Sequence, residues 1–375
     1  MKVQPIRLPN TGQQSWLVLD DDYRPIAPIQ TFLTFREQIG LSPHTVRAGA
    51  HHLKLYWEYL RDAHLDWAAV DVTHLAAFVP WLRQPRRDLT SRDELPIQRT
   101  DATIDQILTA VHTFYDFHVR LKTVPDLALY HFLHLPRRRY KGFLYGIARD
   151  APIRQRLVRV KRERRRPKTL TADQVETFTA GCRHARDAFL VRLLYETGMR
   201  IGQALGLRHE DISVESGEIR IVPRADNANG ARAKTNEAYL VFPSPALLHL
   251  YVRYLVEELD GLAADHLPDY VFINLWDGAI GHPMGYPAVL SLFKRLSRRL
   301  STRTGMPLSV TPHMLRHTRA TEWIRDDHLP VTTVSRLLGH KSTQTTSDTY
   351  LHLTADDLHA AVEQARAGKG RAHEH

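Results

Sequence analysis

One stretch of this 375-residue chain, residues 137–168, has a larger net positive charge than the whole chain. It contains fourteen arginines and lysines and only two acidic residues, so its net charge is +12, whereas that of the whole chain is +10. So many like charges cannot be buried together in a hydrophobic core. The stretch is therefore predicted to link two separately folded parts. It also indicates contact with a polyanion such as nucleic acid, although a solvated tether or a localisation signal would have the same composition.

The end of this stretch contains its densest cluster of cations. The members of the cluster are Arg162, Arg164, Arg165, Arg166 and Lys168. Arginine and lysine side chains bind phosphate through charge-assisted hydrogen bonds and make such binding dependent on salt. We therefore predict that these five residues are DNA-binding residues.

Length and composition place the chain among globular proteins. A chain of 375 residues exceeds one typical core, and 43% of its residues are apolar, so two or three domains are expected. A single cysteine, Cys182, excludes a disulfide framework and a four-cysteine zinc site. The first residues show no apolar signal region, and no run approaches eighteen uncharged apolar residues. We therefore expect a cytoplasmic protein in a reducing compartment.

Residues 27–136 are predicted to form a small helical domain with no notable strand. Ser42 and Pro43 supply a helix cap and a first-turn proline, and apolar residues then recur at helical spacing as far as Leu60. A further helix is expected near residues 101–121. The flanking segments are an N-terminal extension and the basic linker, at residues 1–26 and 137–167.

Residues 168–375 are predicted to form a second domain. Thr171 and Gln174 have the spacing of a capping box, and an apolar run ends at Gly198, which suits the end of a helix. Strands are expected at 218–223, 239–243 and 270–275, and helices at 245–260, 286–304, 312–326 and 331–338. The predicted fold class is therefore mainly α with a small β-sheet in the second domain, an α+β arrangement.

Six residues of the second domain suggest phosphodiester chemistry through their types and order. They are Arg200, Lys234, His313, Arg316, His340 and Tyr350. Cleaving a phosphodiester without a metal requires guanidinium groups for the developing oxyanion charge, an acid for the leaving oxygen and a hydroxyl that attacks phosphorus. His313 and Arg316 share one helix face because they are three residues apart. The set is a nucleophile surrounded by cations and proton carriers.

The order and wording of these motifs resemble the tyrosine recombinase, or phage integrase, family over residues 168–353. The resemblance is carried by Gly198-Met199-Arg200, His313-Met314-Leu315-Arg316, Leu338-Gly339-His340 and Tyr350. Residues 41–46 resemble the first long helix of the family's amino-terminal, SAM-like core-binding domain. Residues 226–232 resemble transposase-type integrases of mobile elements.

This resemblance implies an enzyme that cuts and rejoins double-stranded DNA at specific sites with neither metal nor cofactor. Tyr350 would form a 3′-phosphotyrosyl bond, Lys234 would protonate the leaving oxygen and His313 would assist proton transfer. The nonbridging phosphate oxygens would be held by Arg200, Arg316 and His340. The resemblance also implies a homotetramer on DNA, assembled by exchange of a terminal helix that Thr354 would cap.

Several residues leave alternatives open. Gln203 stands where the family usually carries a carboxylate, so a DNA-binding regulator that has lost catalysis is one alternative. Arg232 is close enough in sequence to Lys234 to take its place as the acid. His313 and His317 have the i, i+4 spacing of a zinc site, but the absence of a following glutamate and of an evident third ligand disfavours a zinc hydrolase. A type IB topoisomerase would use the same chemistry as a monomer, although the core-binding wording favours a recombinase.

Overall fold

The computed structural model describes residues 1–7, 14–85, 99–133, 153–161, 167–224, 226–233, 235, 237–260, 269–305 and 307–339. The chain divides into two compact units, Met1–Arg164 and Arg165–His375. The four predicted segments are finer than this division, and their boundaries stay predictions. Within the described ranges, no helix is both long enough and apolar enough to cross a membrane.

The described part of the amino-terminal unit is a set of helices with two antiparallel hairpins. The helices are α1 (Ala27–Gln38), α2 (Pro43–Asp62), α3 (Val72–Arg83) and α4 (Asp101–Arg120). The hairpins are β1 (Lys2–Arg7) with β2 (Gln14–Leu19), and β3 (Tyr130–Leu133) with β4 (Ile153–Arg156). Helix α2 begins as predicted, because Ser42 Oγ accepts a hydrogen bond from the Thr45 amide at 3.2 Å and Pro43 occupies the first turn.

The core of this unit is rich in aromatic residues. Tyr56 and Tyr115 are fully buried, and their hydroxyls hydrogen-bond each other at 2.7 Å. The Tyr115 hydroxyl also lies 2.9 Å from the Trp67 carbonyl, to which it donates. These bonds satisfy polar atoms that burial would otherwise leave without a partner, so helices α2 and α4 are joined by polar as well as apolar contacts.

The second hairpin departs from the all-helical prediction for residues 27–136. Strand β3 lies inside that range, and its partner β4 lies about twenty residues further on, so local periodicity does not reveal the pairing. Strand β4 also lies within the segment predicted as a linker. The Arg156 guanidinium donates to Thr109 Oγ1 at 2.6 Å, and the Leu157 amide donates to the Leu129 carbonyl at 2.9 Å. Part of the basic stretch therefore packs on the amino-terminal unit.

The carboxy-terminal unit is mainly helical. Its helices are α5 (Ala172–Ala180), α6 (Ala185–Thr197), α7 (Ile201–Ala204), α8 (Pro245–Tyr254), α9 (Tyr286–Thr304), α10 (Pro312–Arg325) and α11 (Val331–Leu337). Helix α8 continues into a π-helical turn, Leu255–Leu259. An antiparallel sheet contains, in order, β5 (Ile212–Ser213), β6 (Glu218–Ile221) and β7 (Tyr239–Val241). Helix α6 crosses the core of this unit, and most of its residues are buried.

Most elements of this unit, and the fold class, are confirmed. The capping box is present: Thr171 Oγ1 accepts from the Gln174 amide at 3.2 Å, and Gln174 Oε1 accepts from the Thr171 amide at 3.0 Å. The strand predicted at residues 270–275 is wrong. Tyr270 and Ile273 form isolated bridges, and the third strand of the sheet is β5. A strand of two residues is too short to show the alternation from which strands are predicted.

Candidate active site

A left-handed turn after α6 sets the position of Arg200. Gly198 has φ of +59°, and a Cβ there would lie 3.0 Å from Leu338 Cδ2 and 3.3 Å from the Trp323 ring. Both the backbone conformation and the lack of space therefore require glycine. The turn leads into α7, and Arg200 occupies its cap position. The Arg200 guanidinium Nη1 lies 3.4 Å from the carbonyl oxygens of Leu338 and Gly339.

Arg316 reaches the same place from α10. The helix begins as predicted, with Thr311 Oγ1 accepting from the Met314 amide at 3.3 Å. Arg316 is only 2% exposed. Its Nη1 donates to the Gly198 carbonyl at 2.6 Å, and its Nη2 donates to the Leu338 carbonyl at 2.9 Å.

The two arginines thus share one acceptor, the Leu338 carbonyl oxygen. Two cations held this close repel each other, and the repulsion is stronger where water is excluded. An anion that bonds to both guanidinium groups would relieve it, and phosphate oxygens suit the forked geometry of arginine. The structure therefore brings Arg200 and Arg316 together in an arrangement that favours a bound phosphate.

Gln203 and Tyr239 form a neutral pair beneath Arg200. Gln203 is 3% exposed. Its Oε1 accepts from the Arg200 amide at 2.7 Å, and its Nε2 donates to the Tyr239 hydroxyl at 2.9 Å. A Cβ on Gly339 would lie 3.0 Å from the Tyr239 ring. Burial is the main cause that raises the pKa of Tyr239, so its hydroxyl keeps its proton. No local pattern points to Tyr239 as a site residue, because its partner Gln203 is 36 residues away in the chain.

This pair leads to a prediction for Gln203→Glu. A carboxylate can still accept from the Arg200 amide, and the Tyr239 hydroxyl can turn to donate instead of accept. The new charge would lie near two arginines, so we expect the rate of DNA cleavage to be unchanged or higher. In the matched variant Gln203→Leu, both partners lose their bonds, which should lower the free energy of unfolding by about 1–3 kcal/mol. Single-turnover cleavage and denaturant unfolding measure the two effects. A large loss of cleavage in Gln203→Glu would show that the site depends on the neutral amide.

His313 and His317 lie in the first turns of α10. His313 is exposed, and the two imidazole rings lie 4.2 Å apart in an edge-to-face arrangement. Burial, and next the neighbouring His313 and Arg316, lower the pKa of His317 to about 4. His317 is therefore neutral at neutral pH. In the parts of the chain that the structure covers, no group of three or more His, Cys, Asp or Glu residues could hold a metal ion.

Several predicted functional residues lie outside the described residues, and their roles stay predictions. They are Lys234, His340, Tyr350, Arg162, Arg164, Arg165 and Arg166, together with the terminal helix after Thr354. The chain neighbours Ala233, Thr235 and Gly339 are described, and Lys168 is exposed just before α5. The structure thus joins Arg200 and Arg316 to the residue that precedes His340, with His313 on the same helix as Arg316.

Two protein-family models match this chain. The model described as "Phage integrase family" matches residues 168–357, and the model described as "Phage integrase, N-terminal SAM-like domain" matches residues 29–122. The chain therefore belongs to the phage integrase family, the tyrosine recombinases, as its motifs predicted.

Individual relatives include a transposase and a recombinase. Transposase A from transposon Tn554 of Staphylococcus aureus is 34% identical over 362 residues, which cover 96% of each chain. Tyrosine recombinase XerA of Saccharolobus solfataricus is 26% identical over 314 residues, 83% of this chain and 85% of the relative. Among solved structures, the Tn1549 transposon integrase in complex with a circular intermediate DNA has a TM-score of 0.62 at 16% identity, covering 90% of this chain and 99% of that one. At this level of sequence identity, the similarity to the Tn1549 integrase shows only that the two chains share a fold.

Proposed function

We propose that this protein performs site-specific DNA recombination by cutting and rejoining double-stranded DNA through a 3′-phosphotyrosyl intermediate. The observation that carries the proposal is the shared position of Arg200 and Arg316, which both lie within hydrogen-bonding distance of the Leu338 carbonyl. Because the chain belongs to the phage integrase family, we take these two converging guanidinium groups to bind the scissile phosphate together. Arginine contacts of this kind contribute about 10³ to 10⁵ in rate, or about 4–7 kcal/mol.

In the proposed reaction, the Tyr350 hydroxyl oxygen attacks phosphorus, and the bond from phosphorus to the 5′ oxygen breaks. His313 assists the departure of the tyrosine proton, and Lys234 gives a proton to the 5′ oxygen. The nonbridging oxygens are held by Arg200, Arg316 and His340. The phosphotyrosyl bond retains the energy of the cleaved bond, so a 5′-hydroxyl of another strand can attack it and restore DNA without ATP.

We further propose that four protomers assemble on two duplexes. Exchanging two duplexes requires four strand cleavages, and each protomer supplies one Tyr350. Leu358, Ala361, Val362 and Ala365 follow Thr354 at helical spacing, and an apolar stripe of this kind suits a terminal helix that docks on a neighbouring protomer. A DNA substrate and the single cysteine support a cytoplasmic location.

Transposition is the form of recombination that the comparisons favour. The Tn554 transposase matches 96% of this chain at 34% identity, which supports a role in moving a genetic element by integration and excision. A type IB topoisomerase or a regulator without catalysis would differ in outcome, since the first relaxes supercoils as a monomer and the second forms no covalent bond to DNA.

The proposed function is tested by trapping the covalent complex on a library of random nicked duplexes and sequencing the bound DNA. A site-specific recombinase should yield SDS-resistant adducts enriched in one recurring sequence. Adducts without sequence preference would instead support a topoisomerase, and the absence of adducts would support a regulator.

The basic linker leads to a separate prediction about salt dependence. Replacing Arg162, Arg164, Arg165 and Arg166 with alanine should flatten the slope of log K against log salt by roughly 2–4 units, since each phosphate contact contributes about 0.9. Binding should weaken similarly on all sequences, because phosphate contacts position a protein without reading bases. Salt titrations on specific and random duplexes measure the slopes. Slopes that agree within about one unit between variant and parent would show that the stretch is a solvated tether.

A further inference from the structure

The loop between β6 and β7 is fastened to the rest of its unit by the side chain of Asn229. Asn229 Nδ2 donates to the carbonyl of Leu205, just after α7, at 2.9 Å, and to the carbonyl of Met284, just before α9, at 2.9 Å. Asn229 Oδ1 accepts from the Ala231 amide at 3.0 Å. One amide therefore joins three separate segments, using both of its donors and one acceptor position.

A second asparagine closes the loop on itself. Asn227 is 9% exposed, and its Nδ2 donates to the Ala231 carbonyl at 2.9 Å. The Tyr270 hydroxyl accepts from the Ala228 amide at 3.0 Å. Both backbone polar groups of Ala231 are thus bound by side chains from positions 227 and 229, which fixes the direction in which the chain leaves the loop.

The fastened loop also contacts the helix that follows Arg200. A Cβ on Gly202, in α7, would lie 2.4 Å from the Arg232 carbonyl oxygen. The two backbones therefore approach each other more closely than any residue with a side chain would allow. Ala231 and Ala233 are buried, at 9% and 6% exposure. The chain that leads to position 234 is thus held against the segment that presents Arg200.

We infer that Asn229, Asn227 and Gly202 are positioning residues for Lys234, because they fix the chain that leads to it, residues 231–233, against the segment that presents Arg200. Lys234 directly follows Ala233, and consecutive Cα atoms are about 3.8 Å apart, so fixing residues 231–233 limits where the lysine side chain begins. The inference rests on the proposed role of Lys234 as general acid. A donor must come within about 2.6–3.2 Å of the leaving oxygen, and a misplacement of about 1 Å can slow a reaction about 10²-fold.

A substrate with sulfur in place of the bridging 5′ oxygen separates positioning of the acid from a general structural effect. In both substrates, the bond from Tyr350 oxygen to phosphorus forms as the bond to the 5′ atom breaks. A leaving alkoxide needs a proton from the acid, whereas a thiol is a much stronger acid, so the thiolate leaves without one. A defect confined to delivery of this proton should therefore disappear on the 5′-phosphorothiolate substrate.

The experiment measures single-turnover cleavage of nicked duplexes of both kinds by the full-length chain. We expect Asn229→Ala and Gly202→Ala to cleave the ordinary substrate about 10²-fold more slowly than the parent and the phosphorothiolate at close to the parental rate, as Lys234→Ala should. The matched control is Asn274→Ala, which removes the side chain of a half-buried asparagine whose Nδ2 donates a long hydrogen bond of 3.4 Å to the Ala279 carbonyl. It should cleave both substrates normally. Arg200→Ala should be slow on both.

Each other outcome overturns the inference. Equal slowing of Asn229→Ala on both substrates would indicate a general structural role. Parental rates on both substrates would show that the Asn229 hydrogen bonds are not needed to position Lys234. Gly202→Ala disturbs the same contact from the opposite side, so it gives the answer should Asn229→Ala fail to fold. Failure of the phosphorothiolate to restore Lys234→Ala would remove Lys234 as the acid and the inference with it. Covalent adducts formed by the parent would still support the proposed function.

Discussion

Replacing Tyr350 with phenylalanine should abolish formation of a covalent protein–DNA complex while leaving DNA binding intact. The change removes only the hydroxyl oxygen that is proposed to bond to phosphorus, and no other atom of phenylalanine can act as a nucleophile. A nicked suicide substrate, on which the cleaved strand diffuses away, measures the adduct after denaturation in SDS. Gel-shift titrations on the same duplex measure binding.

The matched control for this prediction is Tyr286→Phe, which removes a hydroxyl from a tyrosine that is 49% exposed at the start of α9. This variant should form the adduct at the parental rate. An SDS-resistant adduct in Tyr350→Phe would show that another residue is the nucleophile. Adduct loss in both variants would point to a general sensitivity to tyrosine hydroxyls.

The second large effect is expected for Arg316. Arg316→Ala removes the bonds to the Gly198 and Leu338 carbonyls and leaves a cavity in a buried site, so both stability and cleavage should fall. Arg316→Lys separates the two effects, because an ammonium keeps the charge but lacks the fork that bridges two acceptors. We expect Arg316→Lys to fold and to bind DNA but to cleave DNA much more slowly than the parent. The loss in rate should approach the factor of about 10³ to 10⁵ that such arginine contacts contribute.

Arg319 provides the control on the same helix. It is part-buried and pairs with Glu322 at 3.3 Å and Asp327 at 3.6 Å. Arg319→Ala should reduce the free energy of unfolding slightly, as expected for a partly exposed ion pair, and change cleavage little. Parental cleavage by Arg316→Lys would exclude a bidentate clamp, and an equal loss in Arg319→Ala would show that the effect comes from disturbance of α10 as a whole.

The sequence predicted the helices of the site well because caps and glycines act locally. Thr311 and Gly198 mark the start of α10 and the end of α6 through bonds and backbone angles within a few residues. The spacing of His313 and Arg316 likewise predicted a shared helix. It did not predict that His313 would be exposed while Arg316 is 2% exposed, because depth depends on the segments that pack above each residue.

The polar contacts between distant segments could not be predicted in the same way. Gln203 departs from the family pattern, but its partner Tyr239 is 36 residues away on a strand whose register sets the contact. Asn229 lies in a recognised motif, and its acceptors Leu205 and Met284 are 24 and 55 residues away. Such acceptors are backbone carbonyls, which every residue possesses, so no residue type marks them.

The use of backbone carbonyls around the two arginines has a consequence for how much the sequence of this site can vary. The acceptors at positions 198, 338 and 339 belong to the main chain, so a side-chain substitution cannot delete them. Gly198 and Gly339 are constrained by positive φ angles of +59° and +61°, but Leu338 is constrained only by packing. If carboxylate side chains held the arginines instead, both members of each ion pair would have to be kept for the contact to survive. Two arginines held by main-chain acceptors can therefore keep their positions while most surrounding side chains change, so the proposed phosphate clamp would tolerate mutation around it.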